Sequence, residues 1–124
     1  MTEIVEAVVE AFNDCINRRD IDGLAQLMTD GHRFVDAASG SVSGKRACLD
    51  AWKRFFQAFP DYRNHFDRMI TTGSTVVMVG RSSCSDHRLE GPALWRAVVS
   101  ADCVDEWHVF EDTPANRFAL GIAD

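Results

Sequence analysis

The sequence lacks any apolar run long enough to cross a bilayer, since the longest one, near residues 76–79, is far shorter than a membrane-spanning helix. It also lacks a basic cluster beyond Arg18-Arg19 and Lys45-Arg46, and the net charge of −6 would repel a nucleic acid. Residues 1–12 carry acidic side chains where a signal peptide carries basic ones. We therefore expect a cytoplasmic protein with neither a membrane nor a nucleic acid as partner.

Cysteine and histidine are few and dispersed. The cysteines are Cys15, Cys48, Cys84 and Cys103, and the histidines are His32, His65, His87 and His108. Neither set has the spacing of metal ligands, so we expect reduced, mostly buried thiols and neither a metal nor another cofactor. Repeats, linkers and low-complexity tracts are absent as well. With 46% apolar residues, the chain is predicted to be one globular domain, 1–124.

Helical spacing dominates the first half of the chain. Apolar residues between positions 4 and 16 recur on one helix face behind a predicted cap at Thr2. Asp20 is a predicted cap of a second helix over 21–28. A third helix starts at Ser43, carries an aromatic stripe and ends at Pro60, because the residue before a proline avoids helical conformation.

Alternation typical of strands replaces the helical period after this proline. Together with an earlier short segment, it predicts five strands, over 33–37, 62–72, 75–83, 92–100 and 104–111. Thr113 and Pro114 start a final helical turn, which Gly121 follows. Three helices and then a four-strand meander predict an α+β fold, in which a cone-shaped, curved antiparallel sheet wraps around the N-terminal helices. Such a cone leaves a hollow suited to a small molecule.

Three segments carry a family resemblance: AFNDCINRRDIDGLAQLMTDGHRFVD, AFPDY and VDEWHVFEDTPANRFALGI. In these segments and in its order of elements, nearly the whole chain resembles the nuclear transport factor 2-like superfamily. Within that superfamily it is similar to the SnoaL-like polyketide cyclases and the ketosteroid isomerases. The resemblance implies a cystatin-like roll and a homodimer formed through the outer face of the sheet. Because the same fold serves enzymes, binding proteins and transport adaptors, it does not fix an activity.

Asp36 falls where the resemblance places the proton-shuttling aspartate of the isomerases. A carboxylate against an apolar wall loses hydration, which disfavours its charged form and suits the group to proton transfer. The alternative is an aspartate at a strand end that caps the turn at Ser39-Gly40. Phe12 stands where the isomerases have a tyrosine that donates a hydrogen bond to the developing enolate. A phenyl ring cannot donate, so we do not expect steroid isomerisation of the familiar kind.

The last predicted strand offers a partner acid. Trp107, Val109 and Glu111 share one face of this strand because strand side chains alternate, whereas Asp112 lies on the other. The resemblance implies that either Glu111 or Asp112 corresponds to an aspartate of the cyclases, and the pattern leaves that choice open. Val109 stands where the related epoxide hydrolases have an acid, so their chemistry is not expected.

Histidines and aromatic residues complete the predicted site. The dehydratases of the fold use a histidine with an aspartate, which makes His87 and His65 candidates to act with Asp36. The predicted ligand-binding residues are Phe12, Trp52, Phe56, Tyr62, His65, Trp95 and Trp107. An aromatic lining with few polar groups favours a flat, hydrophobic ligand.

Two classes of function follow from these residues. The first is an isomerase, cyclase or dehydratase that uses Asp36 to move a proton on a small hydrophobic carbonyl, epoxide or polyketide-like compound. The second is a non-catalytic module of the same fold, which binds a ligand or another protein. Apolar residues at Phe12 and Val109, where related enzymes have polar ones, favour the second class.

Overall fold

The elements of the fold come from residues 2–36 and 40–123, the part of the chain that the computed structural model describes. The helices in this part are α1 (Thr2–Arg18), α2 (Ile21–Gln26), α3 (Lys45–Ala58) and α4 (Pro114–Ala119). The strands are β1 (Met28–Asp36), β2 (Gly40–Ser43), β3 (Arg63–Thr72), β4 (Thr75–Ser83), β5 (Gly91–Ser100) and β6 (Cys103–Glu111). A short 3₁₀ turn, His87–Leu89, lies between β4 and β5. None of the described helices is both long and apolar enough to cross a membrane.

The second helix begins as predicted and ends earlier. Asp20 accepts a hydrogen bond from the backbone N–H of Gly23 at 2.9 Å and so caps α2. The predicted extension of this helix to Met28 is wrong, because α2 ends at Gln26. Met28 instead opens β1, where it is paired with Val104 of β6.

The predicted start of the third helix differs from the structure, whereas that of the final helix agrees with it. The third helix begins at Lys45 rather than at Ser43, and Gly44 precedes it with a φ of 96° and no side-chain cap. The cap predicted for the final helix is confirmed, since Thr113 Oγ1 accepts from the backbone N–H of Asn116 at 3.1 Å.

One curved, unclosed sheet contains all six described strands, in the order β2-β1-β6-β5-β4-β3. The antiparallel meander from β3 to β5 and on to β6, together with the helices, confirms the predicted α+β cone. The sheet is mixed rather than wholly antiparallel, because β1 runs parallel to β6. Parallel neighbours are joined by long connections, so alternation within each strand does not reveal them.

The first strand was predicted only in part. It begins at Met28, ahead of the predicted 33–37, while Ala37 at the other end of that prediction lies outside the described residues. The sequence pattern did not predict β2, whose residues are Gly40–Ser43. Glycine and serine have little strand propensity, and β2 is held by its pairing with β1 at the edge of the sheet.

The long helix α1 fills the part of the cone that it covers. Phe12 and Ile16 are fully buried on the face that α1 turns to the sheet. The ring of Phe12 lies 4.7 Å from that of Trp107, measured between centroids, and the ring of Trp95 lies 4.9 Å from that of Phe66. These close aromatic contacts leave this end of the inner face fully packed.

The chain's own C-terminal residues cover part of the outer face of the sheet. Val77 on β4, Leu94 on β5 and Ile122 form a second buried cluster there. Beyond this cluster, Arg33 on β1 and Glu106 on β6 form an ion pair at 3.3 Å. The homodimer contact expected on the outer face stays a prediction.

The strands β3 and β4 approach each other closely at Gly80. A Cβ atom at this position would lie 1.9 Å from the backbone oxygen of His65, a distance that no side chain tolerates. A bulge interrupts the β3–β4 register between Phe66 and Arg68 at the same level. Two residues along β4 from Gly80, Ser82 is directly paired with Asn64 of β3.

Candidate functional site

A cavity of about 930 Å³ lies between α3 and the inner face of the sheet. Its aromatic lining residues are Phe34, Trp52, Phe55, Tyr62, Trp107 and Phe110. Its acidic and basic lining residues are Asp36, Arg88, Glu90 and Glu111. The volume is within the usual range of small-molecule sites, roughly 300–1,000 Å³.

The aromatic stripe of α3 forms one wall of this cavity. Trp52 and Phe55 are three residues apart, so they lie on the same helix face. The edge of Trp52 meets Phe34 of β1 at a centroid distance of 5.5 Å, and Phe55 meets Tyr62 edge-on at 4.8 Å. Each aromatic side chain is held by another, which makes the wall a set of fixed, flat surfaces.

Asp36 lines the cavity as a half-buried side chain at the end of β1. Alternation puts it on the same strand face as Phe34, and the parallel ladder pairs it with Val109 of β6. Burial raises the pKa of Tyr62, hydrogen bonds partly offset this effect, and the negative charge of Asp36 raises it further. The carboxyl therefore acts electrostatically on the cavity wall, while its role in proton transfer stays a prediction. Ser39, named in the alternative interpretation, lies outside the described residues.

The two acids that the sequence could not separate lie in different places. Glu111 lines the cavity from the end of β6, where its side chain is exposed. Asp112 instead accepts hydrogen bonds from Arg117 of α4, at 2.7 Å from Nε and 3.0 Å from Nη2. The hydrogen bond from Arg117 lowers the pKa of Asp112 and keeps it ionised. Of the two, Glu111 is the acid at the cavity.

Tyr62 brings a hydroxyl group to the cavity wall and belongs to a buried polar chain. Its hydroxyl lies 3.1 Å from Ser82 Oγ, and Ser82 donates to Asn64 Oδ1 at 2.8 Å. Asn64 is fixed in turn by Asn17, which accepts from its backbone N–H at 2.8 Å and donates to its backbone oxygen at 3.0 Å. Tyr62 and Ser82 both line the cavity, whereas Asn64 lies behind them.

Three aromatic residues predicted to bind a ligand lie in the core instead. Phe12 is fully buried behind Trp107 and supports that cavity residue from the α1 side. Phe56 packs against Trp52 on the inner side of α3, at a centroid distance of 5.4 Å. Trp95 is fully buried under α1. Their placement follows from tertiary packing, which an aromatic stripe alone does not resolve.

Two predicted histidines also lie away from the cavity lining. The side chain of His87 is 92% exposed on the 3₁₀ turn, and its Nδ1 is 3.5 Å from Glu90. His65 is exposed on β3, where its Nε2 lies 3.2 Å from Asp67. Across residues 2–36 and 40–123, no three His, Cys, Asp or Glu side chains are grouped so that they could bind a metal ion.

The connection between β4 and β5 closes one side of the cavity mouth and is tied to the end of α3. Asp61 accepts hydrogen bonds from the backbone N–H of Ser85 at 3.0 Å and from Cys84 Sγ at 3.4 Å. Further along, Arg88 lines the cavity and donates to Asp86 through two nitrogen atoms, at 3.0 and 2.6 Å. The side-chain hydrogen bonds from Arg88 lower the pKa of Asp86 to about 2.

Sequence reasoning missed Ser82 and Arg88 among the cavity residues. Ser82 was detectable, because it shares the strand face of the buried residues Val76 and Met78. Arg88 gave no comparable signal, since its position depends on the path of an irregular connection.

Comparison with known proteins assigns the family. The family model described as the SnoaL-like domain matches residues 9–114. The chain belongs to the SnoaL-like family. This family is part of the nuclear transport factor 2-like superfamily, as the sequence resemblance implied. Among curated proteins, none matches the chain.

Solved structures show the same fold at low sequence identity. A candidate SnoaL-like polyketide cyclase from Shewanella denitrificans has a TM-score of 0.77 at 16% identity, covering 94% of this chain and 98% of that one. A SnoaL-like protein of unknown function from Burkholderia thailandensis has a TM-score of 0.74 at 16% identity, covering 91% and 98%. An LEH-like epoxide hydrolase from Mycobacterium tuberculosis has a TM-score of 0.76 at 16% identity, covering 98% and 90%. At such identities the likeness shows the fold alone.

Proposed function

We propose that this SnoaL-like protein binds a small, flat, hydrophobic molecule in the cavity and moves a proton on it with Asp36. The reaction class is that of an isomerase, cyclase or dehydratase, without a metal or another cofactor. The proposal rests on one observation: the carboxyl group of Asp36 lines a ligand-sized cavity together with six aromatic side chains.

The surroundings of Asp36 suit a general base. The aromatic surfaces of Phe34 and Trp52 exclude water from the ligand side, which strengthens electrostatic interactions at the carboxyl. A ligand stacked on these rings would hold its acidic C–H or O–H group in a fixed position, and such positioning lowers the barrier to proton transfer. Glu111 lines the same cavity and would serve as the partner acid.

A non-catalytic ligand-binding protein is the second candidate. Val109, which is paired with Asp36 across β1 and β6, puts an apolar side chain on the wall beside the carboxyl. Phe12 contributes packing rather than a polar group. With apolar side chains at both positions, the cavity would hold a ligand without transforming it.

The substitution Asp36→Asn separates the two candidates. We expect the wild-type protein to convert 3-cyclohexen-1-one to its conjugated isomer, which is followed by ultraviolet absorbance, and to bind naphthalene, followed by its fluorescence. Loss of the base should reduce turnover by at least about 100-fold, with the affinity for naphthalene unchanged. Glu90→Gln removes another carboxyl from the lining and is the matched control, expected to keep full turnover.

Two results would count against catalysis by Asp36. Equal turnover in the wild-type protein and Asp36→Asn would remove Asp36 from the mechanism. Binding of naphthalene without turnover of the enone by the wild-type protein would favour the non-catalytic candidate. Ala51→Phe, which fills the cavity from α3, should abolish naphthalene binding in either case.

A further inference from the structure

The directions of the hydrogen bonds in the Tyr62–Ser82–Asn64 chain are determined by its last member. Asn64 Oδ1 can only accept, so the single hydroxyl proton of Ser82 is donated to it at 2.8 Å. Ser82 has no second proton for Tyr62, 3.1 Å away, so Tyr62 must donate its own proton to Ser82. Tyr62 and Ser82 both line the cavity, and in this chain the Tyr62 oxygen offers lone pairs and no proton.

We propose that Tyr62 determines ligand specificity by accepting a hydrogen bond, so that the cavity selects flat hydrophobic molecules that carry a hydroxyl group. This inference rests on the proposed function, since it assumes that a hydrophobic ligand occupies the cavity. It adds the polar group of the ligand and the residue that recognises it. A phenol or a similar hydroxylated ring is the ligand class.

The other polar groups of the lining agree with a ligand that donates. Asp36, the proposed base, is an acceptor when ionised. The indole N–H groups of Trp52 and Trp107 have no hydrogen-bond partner among the described residues, but both nitrogen atoms are covered by neighbouring atoms and do not face the cavity. The guanidinium group of Arg88 is the remaining strong donor, and Asp86 engages two of its nitrogen atoms, Nε and Nη2.

The chain is rigid enough to hold this direction. Tyr62, Ser82 and Asn64 are each more than nine-tenths buried. Water therefore does not readily replace the hydrogen bonds that orient the hydroxyl groups of Tyr62 and Ser82. The two hydrogen bonds with Asn17 fix the backbone of Asn64, while its side-chain Nδ2 has no partner among the described residues. Reversing the chain would require the amide of Asn64 to turn over inside this packed surrounding.

Three probes of nearly equal shape test the proposal: naphthalene, 2-methoxynaphthalene and 2-naphthol. The naphthol donates and accepts, the methyl ether only accepts, and naphthalene does neither. We expect the wild-type protein to bind 2-naphthol about five- to tenfold more tightly than 2-methoxynaphthalene, as one net hydrogen bond requires. In Tyr62→Phe this preference should fall by the same factor, because the carboxyls of the lining are unchanged, while the affinity for naphthalene stays the same.

Ser82→Ala provides a second readout that a merely structural role of Tyr62 would not change. Without Ser82 the Tyr62 proton loses its acceptor and turns toward the cavity. The preference should then shift toward 2-methoxynaphthalene. Fluorescence titration measures the affinities, and thermal melts show whether each variant is folded. A naphthol preference as large in Tyr62→Phe as in the wild-type protein, or unchanged in Ser82→Ala, would overturn the proposal.

The experiment also distinguishes this inference from the proposed function. If the wild-type protein binds none of the three probes, or if Ala51→Phe binds them equally well, the cavity is not the ligand site and both proposals fail. If naphthalene binds and the oxygen substituent makes no difference, only the role of Tyr62 is refuted.

Discussion

The inner face of the sheet is covered by α1 at one end and by α3 at the other, and the two ends are filled differently. Under α1, the buried rings of Phe12 and Trp95 pack against their neighbours at less than 5 Å between centroids. Under α3, Trp52 and Phe55 pack against each other and against the strand edges, which leaves about 930 Å³ open. Both helices carry aromatic side chains, so aromatic content alone does not decide whether a cone is filled.

The largest expected difference between the two ends is in stability. Phe12→Ala should lower the free energy of unfolding by about 3–5 kcal/mol, because it opens a void in a packed core. Phe55→Ala, at the edge of an existing cavity, should cost about 1–2 kcal/mol. Urea unfolding measures both values. Naphthalene affinity should show the reverse order, with a loss in Phe55→Ala only; equal stability losses would show that the two ends are packed alike.

A smaller effect should come from His32, which is fully buried at the α1 end. Its Nδ1 donates to the backbone oxygen of Val104 at 2.6 Å, and its Nε2 has no partner among the described residues. Burial lowers the pKa of His32 below its ordinary 6.5, although the hydrogen bond to Val104 partly offsets this. His32 therefore binds a proton more readily in the unfolded chain than in the folded protein. The free energy of unfolding should keep its full value above pH 6.5 and fall as the pH decreases below 6.5.

The slope of this loss cannot exceed about 1.4 kcal/mol per pH unit for one group. Urea unfolding between pH 7.5 and 5 measures it, and this window excludes the carboxyls Asp61, Asp86 and Asp112, whose pKa values are lowered from 3.8. His32→Gln keeps a donor for Val104 and should flatten the slope. Part of the slope should remain, since burial also lowers the pKa of His108. An unchanged slope in His32→Gln would mean that protonation of His32 does not cause the loss of stability at low pH.

Local signals predicted the elements of the fold well. The caps at Asp20 and Thr113 and the strand β4 depend on short-range backbone geometry, and the sequence predicted all three. The parallel pairing of β1 with β6 was not predicted, because it joins segments that are far apart in the sequence. The edge strand β2 escaped prediction as well, since it is held by its neighbour rather than by its own propensity.

The candidate site was predictable where strand alternation decides the direction of a side chain. Trp107 and Glu111 share the strand face that lines the cavity, although the pattern left open whether Glu111 or Asp112 is the acid there. Asp36, which the resemblance placed at the site, lines the cavity as well. Helical spacing for Phe12 and alternation for Trp95 did not separate core from cavity, because both surfaces lie on the inner side of the sheet. That distinction depends on how the helices pack on the sheet, and no local sequence pattern determines this packing.

A crystal structure of the protein soaked with 6-bromo-2-naphthol would test most directly whether the open end of the inner face is a ligand site. We expect the anomalous signal of bromine inside the cavity, with the rings beside Trp52 and the naphthol oxygen within hydrogen-bond distance of Tyr62. A cavity closed by the side chains of α3, or bromine bound only elsewhere on the protein, would contradict this view of the molecule.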